Sequence, residues 1–243
     1  MTLVTAYDYP TGRLLDEAGV DIVLVGDSLG MVVLGFPDTT HVTLDHMLHH
    51  VEATARGVKN ALLVGDMPIH SYDTVEQAVQ SAKKLFLAGA DAVKLEGGAA
   101  QAGNIRAIVE AGIPVVGHIG LLPQKVLEEG GYKIKGKSSA EEEALVRDVE
   151  AVAEAGACAV VVEGVTPHAA RQVTVHSSIP TLGIGSGSHT CDGDVVVIHD
   201  LVGAFPWFIP AFVNPRADVA GSMTAAVKEW MEDCYTEPGS ISS

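Results

Sequence analysis

Short apolar runs recur along the chain, and six of them end in residues that can bind a metal ion or carry a proton. Runs rich in valine, leucine and isoleucine are typical of parallel strands that are buried on both faces. The polar residues at their ends are Asp27, Asp66, Glu96, His118, Glu163, and the pair His199 and Asp200. In parallel barrels the catalytic groups lie where strands end and loops begin. The pattern therefore predicts an enzyme whose pocket is built from many strand ends.

Eight runs are predicted strands, and helical patterns separate most of them. The strands are expected at residues 3–5, 22–25, 62–65, 92–95, 115–118, 159–163, 181–184 and 195–198. Leu44, Met47, Leu48 and Val51 have the spacing of one face of an amphipathic helix. Strands that alternate with helices indicate parallel pairing, because each right-handed crossover carries a helix back over the sheet. We predict an α/β fold with a single (β/α)₈ TIM-type barrel, and a doubly wound open sheet is the alternative.

Capping residues and glycines predict where several helices begin and end. Thr74 with Gln77, and Ser139 with Glu142, have the spacing of a capping box. Glycines are expected just after the ends of four helices, at Gly57, Gly89, Gly112 and Gly156.

The composition fits one large globular core. The chain has 243 residues, 47% of them apolar, and barrels of this kind commonly form one domain of that length. No linker, repeat or charge block divides the sequence. Residues 1–236 are therefore predicted to form the barrel catalytic domain, and residues 237–243 a disordered tail.

The charge and the cysteines restrict the partners and the compartment. Lys and Arg number 15 against 31 Asp and Glu, a formal net charge of −16, which disfavours nucleic acid and anionic membranes as partners. The three cysteines are far apart and lack CxxC spacing, which favours a reducing compartment. We find neither a signal-peptide pattern nor a bilayer-spanning apolar stretch, and expect a cytoplasmic protein.

Asp27, Asp66 and Glu96 are predicted to close three neighbouring strands. Carboxylates that converge on one low-dielectric rim repel one another unless a cation or protons intervene. Oxygen ligands without thiolate favour Mg²⁺, which typically takes one or two carboxylates and keeps positions for substrate and water. The alternative is that each carboxylate caps the helix that follows it.

Three further polar residues are predicted to face the same barrel mouth. Lys94 lies one residue from Glu96, so a strand directs both side chains to the barrel interior. A lysine there is a candidate for substrate binding, for a Schiff base, or for a structural ion pair with Glu96. His118 ends the fifth strand, and Glu163 ends the sixth, across from the proposed metal group. Glu163 could act as a general base towards a carbon acid, although His118 and Glu163 could each also be structural.

Other features are less specific. Residues 27–40 and the stretch LLPQKVLEEGGYKIKGKSS are long enough to be lids or binding loops. The turn GIGSG, residues 183–187, resembles phosphate cradles of barrels but lacks dinucleotide-binding spacing. His46, His49 and His50 resemble a metal cluster at helical spacing, yet a surface or structural role is favoured, because no strand-end carboxylate lies beside them.

Seven segments carry a resemblance to a known family. In chain order they are TAYDYP (5–10), LVGDSLGM (24–31), GDMP (65–68), VKLEGG (93–98), GHIGLLPQ (117–124), GGYKIKG (130–136) and IHD (198–200). Together they resemble the ketopantoate hydroxymethyltransferase (3-methyl-2-oxobutanoate hydroxymethyltransferase) family, whose fold is similar to the phosphoenolpyruvate mutase and isocitrate lyase barrels. The resemblance spans about residues 5–227. Two departures are Gly164, where the family usually has another residue, and a start almost at TAYDY, before which members commonly carry a helical segment.

The resemblance implies transfer of a hydroxymethyl group to 3-methyl-2-oxobutanoate, an α-ketoacid, which gives 2-dehydropantoate for pantothenate biosynthesis. The implied co-substrate is the folate 5,10-methylenetetrahydrofolate, and the implied cofactor is one Mg²⁺ per subunit, which stabilises an enolate of the ketoacid. Members usually form large homo-oligomers, and a decamer is the candidate here.

The resemblance also assigns roles to residues already singled out. Implied metal ligands are Asp27, Asp66 and Glu96, and implied ketoacid contacts are Asp27, Ser28, Asp66 and Lys94, with His118 adjacent. Glu163 matches the proton acceptor. Three alternatives stay open: a carbon–carbon lyase of the same superfamily acting on another oxyacid, a Schiff-base aldolase acting through Lys94, and a binding barrel without activity.

Overall fold

Eight parallel strands close into a barrel in the order in which they occur along the chain. The structure is a computed structural model, and it describes residues 1–235. The strands are β1 (Thr2–Thr5), β2 (Ile22–Val25), β3 (Leu62–Asp66), β4 (Ala92–Lys94), β5 (Val115–Gly120), β6 (Ala159–Glu163), β7 (Thr181–Ile184) and β8 (Gly193–Val196). The predicted (β/α)₈ barrel is confirmed, and the open-sheet alternative is wrong because β8 pairs with β1. The predicted tail, residues 237–243, lies outside the described residues.

Helices follow the strands along the chain. They are α1 (Tyr9–Ala18), α2 (Leu29–Val32), α3 (Leu44–Ala55), α4 (Val75–Leu87), α5 (Ala102–Glu110), α6 (Ser139–Glu154), α7 (Pro167–His176), α8 (Ile198–Leu201) and α9 (Val219–Tyr235). Single 3₁₀ turns occupy Thr39–His41, Ala99–Gln101 and Pro123–Lys125. The four predicted glycine stops are confirmed, since each glycine lies two residues beyond the last residue of its helix.

The capping predictions are half right. Thr74 caps α4 by accepting from the backbone N–H of Gln77, but the Gln77 side chain accepts from the N–H of Asp73 and so closes no reciprocal box. The cap of α6 is Ser138 rather than Ser139, and it accepts from Glu141. Ser139 is already the first helical residue, so its side chain lies beyond the capping position.

The eighth strand begins and ends earlier than predicted. It covers Gly193–Val196 instead of residues 195–198, because Gly193 pairs with Leu182 of β7 and lies against the N-terminal residue of the chain. A Cβ on Gly193 would lie 2.4 Å from the carbonyl oxygen of Met1, so only glycine permits this approach. As a result, Asp200 lies in the short helix α8 and not at a strand end.

The barrel interior has an apolar layer beneath a polar one. The apolar layer consists of Leu3, Ile22, Leu24, Val64, Ala92, Val116, Ala159, Val161 and Leu182. Side chains two residues apart on a strand share a face, so the next inward positions on four strands are polar. These positions are Asp66 on β3, Lys94 on β4, His118 on β5 and Glu163 on β6. Strand register therefore places four ionisable side chains, on neighbouring strands, next to the apolar layer.

The strands all belong to one compact unit, Met1–Val197, and a second compact unit begins at Ile198. That the catalytic domain extends over residues 1–236 stays a prediction. In the second unit, α9 is 17 residues long and none of its residues is buried. No helix within residues 1–235 is both long enough and apolar enough to cross a membrane.

Asp16 ties the first helix to the segment that leads into β3. Its carboxylate accepts from the backbone N–H groups of Asn60 and Ala61, at 2.7 and 2.8 Å, and from the Asn60 side chain at 2.9 Å. The backbone hydrogen bonds from Ala61 and Asn60 lower the pKa of Asp16 to about 2. A lowered folded-state pKa contributes stability above the unfolded value of 3.8, and this contribution is lost as the pH falls towards 2.

We therefore expect Asp16→Asn to be less stable than the wild type at pH 7, with a gap that narrows below about pH 4. Urea unfolding of both proteins across this range measures the gap. Glu150→Gln, which alters an exposed carboxylate of α6, is the control. Equal stability of Asp16→Asn and the wild type at pH 7 would contradict this role.

Candidate active site

A group of buried ionisable side chains lies at the end of the barrel where the strands finish. Asp27, Asp66, Lys94, Glu96 and His118 are each between 1% and 5% exposed. Lys94 is the only buried lysine or arginine among the residues that the structure describes. Buried charges are costly unless they are paired, so the pairing within this group decides its chemistry.

Lys94 pairs with Asp66, its neighbour in the strand register. The two residues are Cα partners between β3 and β4, and the ammonium lies 2.7 and 2.8 Å from the two carboxylate oxygens. The sequence analysis offered a structural ion pair between Lys94 and Glu96 as one alternative. The ion pair is instead made with Asp66, so the predicted partner was wrong. Burial disfavours the charged lysine, but the carboxylates of Asp66, Asp27 and Glu96 outweigh it and raise the pKa of Lys94. Lys94 therefore keeps its proton, unlike a Schiff-base lysine.

Asp27 and Glu96 are the acidic groups without a cationic partner of their own. Burial, and then the charge of Asp66, raises the pKa of Asp27 to about 7. Burial, and then the charge of Asp27, raises the pKa of Glu96 well above its ordinary value. Oε1 of Glu96 is buried and accepts no hydrogen bond from the described residues. The negative charges of these two carboxylates have no positive partner, and a bound cation or added protons would neutralise them.

Asp27, Asp66 and Glu96 fit a hard divalent cation because they offer oxygen donors and because buried carboxylates outnumber buried cations here. Asp66 directs both of its oxygens to Lys94, whereas Glu96 retains a buried oxygen without a hydrogen bond. Within residues 1–235, no group of three or more His, Cys, Asp or Glu side chains could by itself hold a metal ion. The predicted ligands Asp27, Asp66 and Glu96 are thus not assembled as a three-carboxylate group, and an ion would need further ligands from substrate or water.

His118 connects the buried acids to Glu163. Its Nε2 lies 3.1 Å from Oε2 of Glu163, and its Nδ1 lies 3.6 Å from Oε1 of Glu96. Burial, and then the charge of Lys94, lowers the pKa of His118, so the imidazole is neutral near pH 7. The Glu163 side chain is 22% exposed, which makes it more accessible than the buried carboxylates. Both ring nitrogens of His118 are buried and make no hydrogen bond with the described residues, so His118 lies close to Glu163 without a formed hydrogen bond. Glu163 is the carboxylate of this group that a small molecule can reach.

Gly164 suits the turn that follows Glu163. Its φ is +55°, and a Cβ there would lie 2.8 Å from Cβ of Leu121. A side chain at this position would meet both backbone strain and a close contact. The departure from the family pattern is thus compatible with the local backbone.

Ser28 lies at the start of the short helix α2. Its hydroxyl is 2.8 Å from the hydroxyl of Tyr7, and its side chain makes no capping hydrogen bond. The structure thus places Ser28 next to Asp27 on the loop after β2, and its predicted contact with a ketoacid stays a prediction.

Gln124 and Tyr72 are site residues that the sequence did not single out. The Gln124 side chain donates to Asp27 at 2.9 Å, and its backbone N–H donates to Glu96 at 3.0 Å. Tyr72 is buried and donates its hydroxyl proton to the Gln124 side chain. Gln124 lies in the segment GHIGLLPQ, but nothing in its spacing distinguishes a site amide from a loop amide.

The two long loops meet at this end of the barrel. Gln124, in the loop after β5, donates a hydrogen bond to Asp27 in the loop after β2. The hydroxyl of Tyr132, in the first of these loops, lies 3.8 Å from Sδ of Met31 in the second. In the turn 183–187, the Ser186 hydroxyl bonds the carbonyl of Val162, which ties the turn to β6.

The histidines of α3 have structural contacts. His46 accepts from the N–H of Thr43 in a capping box, and Nδ1 of His50 lies 2.6 Å from the carbonyl oxygen of Tyr7. These contacts agree with the structural role favoured for them.

Solved structures share the barrel fold of this chain. A phosphoenolpyruvate phosphomutase from Streptomyces platensis subsp. rosaceus has a TM-score of 0.68 and 17% identity, covering 96% of this chain and 83% of that one. A 2,3-dimethylmalate lyase, a PEP mutase/isocitrate lyase superfamily member, has a TM-score of 0.63 and 19% identity, covering 100% and 86%. At these sequence identities the structural similarity shows only the fold, and that fold is the predicted (β/α)₈ barrel.

Sequence comparison gives the family. The model of the ketopantoate hydroxymethyltransferase family matches residues 1–238. A 3-methyl-2-oxobutanoate hydroxymethyltransferase from Ignicoccus hospitalis is 50% identical over 96% of this chain and 88% of its own length. One from Moorella thermoacetica is 49% identical over 96% and 87%. The chain belongs to the ketopantoate hydroxymethyltransferase family, as the seven segments indicated.

The charged state of Lys94 gives a direct test of the Schiff-base alternative. Borohydride treatment of the protein with 3-methyl-2-oxobutanoate should give no covalent adduct, because a protonated lysine paired with Asp66 does not attack a ketone. Intact-protein mass spectrometry measures the adduct, and Lys94→Arg is the control for labelling of other lysines. An adduct on the wild type that is lost in Lys94→Arg would restore the alternative.

Proposed function

We propose that this protein transfers a hydroxymethyl group from 5,10-methylenetetrahydrofolate to 3-methyl-2-oxobutanoate and gives 2-dehydropantoate in pantothenate biosynthesis. The observation that carries the proposal is family membership over nearly the whole chain, with relatives about 50% identical that bear this activity in their names. The site adds a buried cation, Lys94, and an accessible carboxylate, Glu163, at one barrel mouth. No observation on this chain favours the lyase alternative.

Glu163 is the proposed general base. The C–H bond at C3 of the ketoacid breaks, the proton passes to a Glu163 oxygen, and the electron pair moves towards the ketone oxygen. Both bonds from the methylene carbon to folate nitrogens are replaced: one by the new bond to C3 and the other by a bond to a hydroxyl from water. The proton taken by Glu163 and the remaining proton of the water end on the two folate nitrogens. Nε2 of His118 lies 3.1 Å from Oε2 of Glu163, next to the proposed base.

Lys94, Ser28 and His118 are proposed to bind and orient the ketoacid. The Lys94 ammonium offsets the negative charge of the substrate carboxylate, which the protein's net charge of −16 would otherwise repel. The Ser28 hydroxyl, 2.8 Å from that of Tyr7, offers a polar contact beside Asp27.

Asp27 and Asp66, with Glu96 nearby, are proposed to hold one Mg²⁺. A bound Mg²⁺ would polarise the ketone and so acidify the neighbouring C–H bond. The support in this chain is the excess of buried carboxylate over buried cation and the unpartnered oxygen of Glu96. Asp27 and Glu96, whose pKa values burial raises, bind an ion after they lose their protons.

The direct test of the activity is formation of 2-dehydropantoate from 3-methyl-2-oxobutanoate and methylenetetrahydrofolate. We expect product with Mg²⁺ and none in excess chelator, and Asp27→Ala should remove turnover while circular dichroism shows an intact fold. Full turnover in chelator would exclude the metal role, and no product under any condition would exclude the proposed activity.

Deuterium exchange at C3 of the ketoacid, without folate, isolates the proton-transfer step. Wild-type protein should exchange this position, and Glu163→Gln should slow it by about 10²–10⁴-fold because it keeps the shape and removes the base. Proton NMR follows the exchange, and Glu154→Gln on the exposed end of α6 is the control. Undiminished exchange in Glu163→Gln would assign the base to another group.

We also propose a cytoplasmic homo-oligomer, with a decamer as the candidate size. On α9, Met223, Val227 and Trp230 recur at helical spacing and are 64%, 56% and 65% exposed. An apolar stripe of this kind commonly marks an interface, and the proposed occupant is a second copy of the chain.

Light scattering tests the oligomer. The wild type should scatter as an oligomer at micromolar concentration, and the double variant Val227→Glu with Trp230→Glu should shift towards the monomer. Lys228→Gln changes the charge of the same helix outside the stripe and should leave the oligomer intact. A monomeric wild type, or an unchanged double variant, would count against this interface.

A further inference from the structure

Gln124 makes hydrogen bonds to two of the buried acids of the site. Its side-chain nitrogen donates to Oδ2 of Asp27 at 2.9 Å and to the carbonyl oxygen of Met67 at 3.0 Å. Its backbone N–H donates to Oε2 of Glu96 at 3.0 Å, and its side-chain oxygen accepts from Tyr72. Gln124 is 4% exposed, so water does not compete for these bonds.

These contacts allow one orientation of the Gln124 amide. The two partners of its nitrogen, a carboxylate and a backbone carbonyl, can only accept hydrogen bonds. A flipped amide would place its oxygen against both and leave its nitrogen facing the Tyr72 hydroxyl. Burial, and then the charge of Glu96, raises the pKa of Tyr72, so its hydroxyl keeps the proton that it donates. Tyr72 therefore locks the amide with its nitrogen towards Asp27.

Tyr72 is itself held in place. It is 8% exposed, and its backbone carbonyl accepts from the Asn104 side chain at 2.7 Å. The hydrogen bond that its hydroxyl donates goes to the side-chain oxygen of Gln124, not to Asp27. The hydrogen-bonded path from the Tyr72 hydroxyl to the Asp27 carboxylate therefore runs through Gln124, while the hydroxyl also interacts with the backbone of Glu96.

The consequence is a division of the carboxylate oxygens. Gln124 donates to Oδ2 of Asp27 and to Oε2 of Glu96, and Oε1 of Glu96 is buried without a hydrogen bond from the described residues. The protein therefore fixes one oxygen of each acid, and Oε1 of Glu96 is left available to a ligand. Fixing a carboxylate through one oxygen is how outer partners of a metal site orient its ligands.

We propose that Gln124, locked by Tyr72, is a positioning residue that presents the remaining oxygens of Asp27 and Glu96 to the divalent cation. This inference rests on the metal role in the proposed function. Gln124 touches neither the reacting carbon nor the base, and it acts through the two acids that it holds.

The experiment measures binding of Mn²⁺, as a probe for Mg²⁺, by electron paramagnetic resonance of the free ion without substrate. The variants are Gln124→Met, which keeps the side-chain length, and Tyr72→Phe, which removes one oxygen atom. Gln80→Met and Tyr9→Phe make the same changes at exposed positions and are the matched controls. Circular dichroism monitors the fold, and Tyr72→Phe keeps the test decisive if Gln124→Met does not fold.

We expect Gln124→Met to weaken Mn²⁺ binding by about 10–100-fold, with a smaller loss for Tyr72→Phe and none for the controls. Adding Tyr72→Phe to Gln124→Met should cause a smaller further loss than Tyr72→Phe causes alone, because the hydrogen-bonded path from the hydroxyl to Asp27 runs through the amide. The Mg²⁺ concentration for half-maximal activity should rise while kcat at saturating Mg²⁺ falls less.

Unchanged Mn²⁺ affinity in both variants, or losses that simply add in the double variant, would overturn the positioning role. If the wild type makes 2-dehydropantoate and both variants bind Mn²⁺ normally, this inference fails and the proposed function stands. If the wild type makes no product, the proposed function fails. A wild type that binds no Mn²⁺ overturns the inference as well.

Discussion

The burial of Lys94 among carboxylates is the constraint on which the site depends. One ammonium, bonded to Asp66 at 2.7 and 2.8 Å, lies beside Asp27 and Glu96, which are also buried. Removing one member of a buried ion pair typically costs about 3–5 kcal/mol, because the other charge is left uncompensated. A hydrophobic pair would serve a barrel core at least as well, so the acids are explained better by a ligand than by stability. The site therefore holds more buried carboxylates than buried cations, a deficit that a metal ion or protons would fill.

Strand register and alternation made part of this site predictable. Inward positions are two residues apart, so the apolar residues Val64 and Ala92 lead to Asp66 and Lys94 one layer higher. The barrel class followed from the same regularity, since strands that alternate with helices have few parallel arrangements. These features depend on the local period of the chain, which one sequence displays directly.

Other features depend on contacts between distant segments and could not be read in this way. The sequence suggested Glu96 as the ion-pair partner of Lys94 because the two residues share a strand face. The partner is instead Asp66, the neighbour of Lys94 on the adjacent strand. Gln124 reaches Asp27 across 97 positions of sequence, and Tyr72 reaches Gln124 across 52. The eighth strand was displaced because a close approach to Met1 sets its start at Gly193. Tertiary contacts, rather than propensity, decide all of these.

The central claim is that a cation completes the buried acid group, and thermal unfolding with added Mg²⁺ tests it most directly, because it needs neither substrate nor turnover. A ligand that binds the folded state at about 100 times its Kd adds about 2.7 kcal/mol, which raises Tm by about 5–10 °C in a chain of this size. The account predicts such a rise for the wild type and a much smaller one for Asp27→Asn. An unchanged wild-type Tm across millimolar Mg²⁺, or an equal rise in Asp27→Asn, would contradict it.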